Sequence, residues 1–337
     1  MDEKDNYFRI ITTQWFPERN TWLYILDKDL NLVSSLSNIW KWENFQSSRF
    51  MWDKLFLVTF KQIDPLFVID LKDNTNPEIL WELKIPGYST YLHPYDSNHL
   101  IGLWYDTTIN KWWWTVNWWV KVDLYEINYD KKCGDSNLTV EEESKCNSWD
   151  YKWIIVKQLQ TLTLWENWSY SEVLNNPRMF IWNKVKNILL LPVTLYKNDA
   201  VDNYKRIDFF NWLSVIKITK DEIKEKARVT HIDKIGLEEK RQKECEKYTV
   251  KDSEETECRE LLDGTTYCPP QRNIYIPEYC YKDSTIESYI ASKSRQFRNS
   301  FVKRALYSWE TFFSISDDMV IANSFSDYKE VGDLKFK

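Results

Sequence analysis

Between Asn44 and Ile85 the chain sets four β-type runs in succession, each closed by turn chemistry, and that spacing leaves few folds open. Phe45-Gln46-Ser47-Ser48-Arg49-Phe50 alternates, Met51-Trp52-Asp53-Lys54 stands where a turn belongs, and Leu55 to Phe60 and Leu66 to Leu71 are apolar strands. Asp73 to Pro77 is a turn and Ile79 to Ile85 a fourth strand. Four antiparallel strands in about 40 residues make a propeller blade. The unit recurs in Ser89 to Leu92, Leu100 to Leu103, Val120 to Ile127 and Ile154 to Leu164. Another runs through Tyr170 to Val173, Ile188 to Pro192, Leu213 to Ile218 and Ala227 to Ile232. The last uses Val302 to Leu306, Thr311 to Ser316, Val320 to Ala322 and Glu330 to Phe336. Phe8 to Thr13, Leu23 to Asp27 and Leu32 to Leu36 supply three strands of an opening unit. The expected fold is all-β: a partial β-propeller of about five four-stranded blades, the first incomplete, with a Cys-rich insertion.

Residues 233–300 break the rhythm. Glu238 to Glu244 is charged and helix-forming, and Cys245, Cys258, Cys268 and Cys280 follow among polar residues and Pro269-Pro270. Such a stretch reads as a disulfide-stapled insertion in a domain that otherwise takes in residues 1–337 as the C-terminal part of a propeller. Cys133 and Cys146 sit in a second polar loop. No CxxC pair of a zinc site is present, and an even number of loop cysteines suits disulfides in an oxidising compartment.

The balance of charges excludes other classes. A net charge of −6 without a basic stripe argues against nucleic acid as a partner. The longest apolar stretch, around Ile188 to Pro192, is far below the roughly 18 to 20 residues of a membrane span. Met1-Asp2-Glu3-Lys4-Asp5 runs straight into a strand with no signal-peptide pattern. The chain is thus either cytosolic or preceded by residues outside it, and the cysteines favour export.

Val58 to Leu71 and Leu83 to Asp96, with Ser169-Tyr170-Ser171-Glu172 and Leu306-Tyr307-Ser308, resemble the secreted bacterial and archaeal β-propeller-domain family. More loosely, Phe67 to Pro77 is similar to LVIVD-type surface propeller repeats. The resemblance implies an exported, cell-surface protein with a signal and further blades upstream. It implies no established activity, so no catalytic residue and no cofactor is carried over.

In that family glycine stands where this chain has Trp40, Trp42, Trp52, Trp81, Trp104, at least two of Trp112 to Trp114, Trp118, Trp119, Trp165, Trp168, Trp212 and Trp309. Composition points the same way: 19 Trp against 6 Gly in 337 residues, where glycine is ordinarily about 7%. Trp52 and Trp309 also fall in tight strand connections, where a two-residue turn needs positive φ and normally uses Gly or Asn. Most of these tryptophans are therefore read as glycine positions, UGA codons translated as Trp. The rival reading makes Trp112-Trp113-Trp114 with Trp118-Trp119 a sugar-stacking platform or a membrane-inserting loop.

Candidate chemistry is sparse. Tyr91, His93 and Asp96 fall near the first strand of a blade, where a propeller's channel opens, and Tyr170, Glu172 and Arg178 occupy the corresponding place in the next. These six are the candidate ligand-binding residues, although a histidine bonded within a turn and polar groups satisfying backbone are the more frequent explanations of such residues. His231 reads as structural. No nucleophile elbow, Walker loop, dinucleotide fingerprint or HExxH motif occurs, and the Asp-rich turns lack the EF-hand Gly and Glu. The expectation is a secreted or surface binding or scaffold module for a protein or glycan. The alternative is a hydrolase or metal-dependent enzyme built on His93, Asp96 and Glu172.

Overall fold

The computed structural model describes residues 1–14, 20–39, 44–60, 64–85, 88–109, 115–132, 135–136, 138–140, 154–164, 169–198, 206–249, 259–260, 266–267, 276–281 and 284–336. Five antiparallel sheets follow one another along the chain, as expected of blades. The first is β1 (Asp2–Lys4), β2 (Tyr7–Gln14), β3 (Asn20–Leu26) and β4 (Leu32–Ile39). The second is β5 (Asn44–Met51), β6 (Lys54–Phe60), β7 (Asp64–Asp70) and β8 (Glu78–Ile85). The third is β9 (Tyr88–Pro94), β10 (His99–Ile109), β11 (Thr115–Lys132) and β12 (Ile154–Leu164). In these three, neighbours in space are neighbours in sequence.

The first sheet is complete, unlike the expectation of three strands. Its extra strand, β1, is charged and carries no apolar signal. Beyond its ladder with β2, it is fastened by ion pairs: Arg9 of β2 with Asp2, and Lys4 with Asp53 in the β5–β6 turn of the second sheet. Arg9 is buried, and its Nη1 also donates to the Trp52 carbonyl at 3.0 Å.

Period-2 geometry explains how the second sheet buries both faces. Successive side chains of a strand point to opposite sides, so Leu55, Leu57, Phe67 and Ile69 pack on Leu23, Ile25 and Ile39 of the first sheet. The residues between them, Phe56, Val58, Leu66 and Val68, pack on Leu92, Leu100, Trp104 and Tyr125 of the third. All eight are fully or almost fully buried, each worth about 1.5–3 kcal/mol relative to exposure. A continuous apolar run is what a strand covered on both faces requires.

The fourth sheet contains β13 (Ser169–Tyr170), β14 (Ile181–Asn183), β15 (Ile188–Asn198), β16 (Arg206–Ile218) and β17 (Ile223–Val229). Two boundaries differ from the sequence reading. The strand expected through Val173 stops at Tyr170, because Ser171 spends its hydroxyl on the Pro192 carbonyl at 2.6 Å and Glu172–Leu174 coils into a single 3-10 turn. The strand expected from Ala227 starts at Ile223, directly after a Thr219–Glu222 turn.

Helix α1 (Lys234–Thr249), the small hairpin β18 (Arg259–Glu260) and β19 (Thr266–Tyr267), and helix α2 (Ile286–Ser292) precede the last sheet. That sheet is β20 (Arg304–Ser308), β21 (Thr311–Ile315), β22 (Met319–Ser324) and β23 (Glu330–Lys335). The chain divides into two compact units, Met1–Val193 with Ser214–Arg228, and Thr194–Leu213 with Val229–Lys337.

The Cys-rich segment has more core than its polarity suggests. Leu237, Tyr289, Ile290 and Ala291 bury against Phe209 and Ile232. A disulfide joins Cys245 to Cys280, and Glu244 accepts from Lys293 at 2.5 Å and from Tyr289 at 3.1 Å. Cys133, Cys146, Cys258 and Cys268 lie outside the described residues, as do Trp40, Trp42, Trp112 to Trp114, Trp165 and Trp168. Among the described residues no helix is long and apolar enough to cross a membrane.

Candidate functional site

Strand β9 is the edge strand of the third sheet, and its alternation sends Leu92 into the core while Tyr91 and His93 point to the other face. There they meet Phe180, which leads into β14 after the Pro177–Met179 turn. Ring centroids lie 4.9 Å apart for Tyr91 and Phe180 and 4.7 Å for His93 and Phe180. The Tyr91 hydroxyl is 3.3 Å from His93 Nδ1. Phe180 is buried, and Tyr91 and His93 are half-buried. Burial, helped by the positive charge of Arg49 on β5, lowers the His93 pKa to about 4. Burial also raises that of Tyr91, against the pull of Arg49. Both groups are therefore neutral near pH 7.

Asp96 belongs to a separate cluster one turn further on. It accepts from the His99 ring at 2.7 Å and from the Asn98 backbone at 2.8 Å, and Lys220 stands 3.5 Å away. Burial works against the Asp96 charge, but the His99 and Asn98 hydrogen bonds and the Lys220 charge hold its pKa below the ordinary value. Tyr95 packs on Trp182 with centroids 5.6 Å apart beside this cluster.

Tyr170 and Glu172 pair with each other, hydroxyl to carboxylate at 2.5 Å, and Asn175 donates to the same hydroxyl at 2.9 Å. The Glu172–Leu174 turn touches β9. Arg178 is exposed on the neighbouring turn. The structure thus brings Tyr91 to His93 and Tyr170 to Glu172, and gives His93, Asp96 and Glu172 three different partners. The convergence an enzyme would need of those three is not made by direct bonds. Among the described residues no group of three His, Cys, Asp or Glu side chains is placed to hold a metal ion.

Sequence reasoning missed Arg49 and Phe180. Arg49 sits in an unexceptional alternating strand and Phe180 in a turn, and only packing brings positions 49, 93 and 180 together. The structure also contains a cavity of about 470 Å³ in the second unit, lined by His231, Gly236, Leu237, Lys240, Lys243 and Phe297. Its two lysines share the lining with Asp233 and Glu239, so the formal charges of the lining balance. His231 is bonded at both ring nitrogens, to Ser316 at 2.9 Å and Ser314 at 2.7 Å, which leaves it no hydrogen-bonding capacity for a ligand.

A family model described as Beta propeller domain matches residues 1–149 and 154–281. An uncharacterized protein of Methanocaldococcus jannaschii is 52% identical over 107 residues, 31% of this chain and 17% of that one. An uncharacterized protein of Archaeoglobus fulgidus is 33% identical over 205 residues, 61% of this chain and 27% of that one. The matches therefore span well under a third of either relative's length. Among solved structures, the β-propeller domain of the Trilobed protease from Pyrococcus furiosus aligns with 99% of this chain and 82% of its own, at 11% identity and a TM-score of 0.34. The AfRom2 CNH domain aligns with 99% and 86%, at 8% identity and a TM-score of 0.29.

Proposed function

The chain belongs to the beta propeller domain family, and we propose that it serves as an exported binding or scaffold module whose ligand seats on the Tyr91–His93–Phe180 cluster. One observation carries this reading: two half-buried polar rings on the edge strand of one sheet rest on a buried ring from the next. Rigid aromatic groups with hydrogen-bonding tips are the usual furniture of a binding site, and propellers place such sites where the leading strands of adjacent blades meet. The Cys245–Cys280 disulfide supports an oxidising compartment, and the ligand would then be a protein or glycan of the cell surface.

The test is a glycan array and a surface-protein overlay probed with the wild-type chain and with Tyr91→Ala/His93→Ala. Wild-type signal on at least one glycan or protein, lost in the double variant at unchanged Tm, supports the reading. Signal retained in the variant overturns it.

A further inference from the structure

We propose that the Arg49–His93 side of this cluster is a carboxylate site and that its ligand is an acidic sugar, a hexuronate held by charge at one end and by ring faces at the other. The inference rests on the binding reading above and narrows it.

The charge inventory comes first. Among the described residues the Arg49 guanidinium pairs with no carboxylate, and its Nε is buried without a hydrogen-bond partner. A guanidinium has five donors in a fixed fork that matches a carboxylate, and a buried donor left unmade is costly, so an unpaired one is unusual. Of the acids nearby, Asp96 is paired with His99 and Lys220, whereas Glu172 keeps its charge and accepts from the Tyr170 hydroxyl. Strand β5, which carries Arg49, packs on β9, and the Arg49 charge acts on both Tyr91 and His93.

The histidine adds a second donor. The Tyr91 hydroxyl lies 3.3 Å from Nδ1; we assign it as the donor there, which puts the proton of a neutral His93 on Nε2. That nitrogen has no hydrogen-bond partner among the described residues. A guanidinium fork and an imidazole N–H suit an oxyanion. The rings then decide which oxyanion. Tyr91 and His93, half-buried and tilted by 37° to each other over the buried Phe180, offer the exposed parts of two rings to the apolar face of a sugar. A flexible aspartyl or glutamyl side chain offers no such face.

Titrating the wild-type chain with glucuronate, its methyl ester, glucose and N-acetylglutamate, with the His93 ring resonances as reporter, tests this. Saturable shifts with glucuronate alone are expected, and Arg49→Gln weakens them by about ten- to a hundredfold, with Arg49→Lys between. The ester or glucose binding as well as the acid overturns the charge assignment. N-acetylglutamate binding as well overturns the sugar. If none of the four binds while glycan binding through Tyr91 and His93 persists, this inference falls and the broader reading stands. Loss of both ends both.

Discussion

Two histidines of this chain share one property and differ in everything that gives it a use. His93 and His231 are each pushed down to about 4, burial being the main cause for both. His231 is 8% exposed and has each ring nitrogen within 3 Å of a serine hydroxyl, Ser314 on β21 and Ser316 just after it. Its hydrogen-bonding capacity is used up. His93 bonds through one nitrogen, at a longer 3.3 Å, and stands by an arginine without a counter-ion. A depressed histidine pKa is therefore no mark of a site. What distinguishes His93 is the unspent donors beside it.

The comparison predicts opposite consequences for the same substitution. His231→Ala strips the fully buried Ser314 hydroxyl of its partner and destabilises the chain by about 2 kcal/mol. His93→Ala costs under about 1 kcal/mol and, on the proposed function, abolishes ligand binding. Urea denaturation of both variants is the check, and equal losses would erase the distinction. Acid acts on both residues together. An unfolded histidine takes up its proton near pH 6.5, whereas the folded rings do so only near 4. Between those values the unfolded state binds more protons, so the histidine contribution is whole above pH 6.5 and declines as pH falls toward 4. Tm measured across that window should fall in wild type and fall less steeply in His231→Gln, which keeps only the His93 contribution.

A smaller effect concerns the turns. Trp52 and Trp309 adopt φ of 48° and 52°, and their indoles are 63% and 91% exposed. The left-handed conformation costs a non-glycine residue about 1–2 kcal/mol, partly offset by the roughly 0.5–1 kcal/mol of chain entropy that glycine adds. Trp52→Gly and Trp309→Gly should each stabilise by up to about 1 kcal/mol. A loss would show that the indoles contribute contacts. The reading of these positions as glycine codons has its own test: peptide mass mapping of the protein from its source must return glycine at 52 and 309, and tryptophan at either would end it.

Much of the fold was legible because the constraint is local. Leu55 to Val58 and Leu66 to Ile69 are apolar at every position, which a strand needs only when both faces are covered, and two such strands joined by turns already describe a blade. The turn at Trp52 was legible for the same reason, since Met51 and Lys54 must pair across it. What failed was local competition or distance. Ser171 diverted a strand by bonding the Pro192 carbonyl, and β1 is held by ion pairs rather than by an apolar pattern. At the site, Tyr91 and His93 could be singled out by their place at the start of a blade. Arg49 and Phe180 could not, because their relation to His93 is made by packing across three sheets.

The central claim is that His93 is a neutral, pre-set donor whose proton and charge environment are fixed by Tyr91 and Arg49. Nitrogen-15 NMR of the imidazole near pH 7, in wild type and Arg49→Gln, tests it most directly. A neutral ring protonated on Nε2, with a pKa near 4 that rises in the variant, is the predicted result. A ring protonated on Nδ1, or one titrating near 6.5 in both proteins, would contradict it.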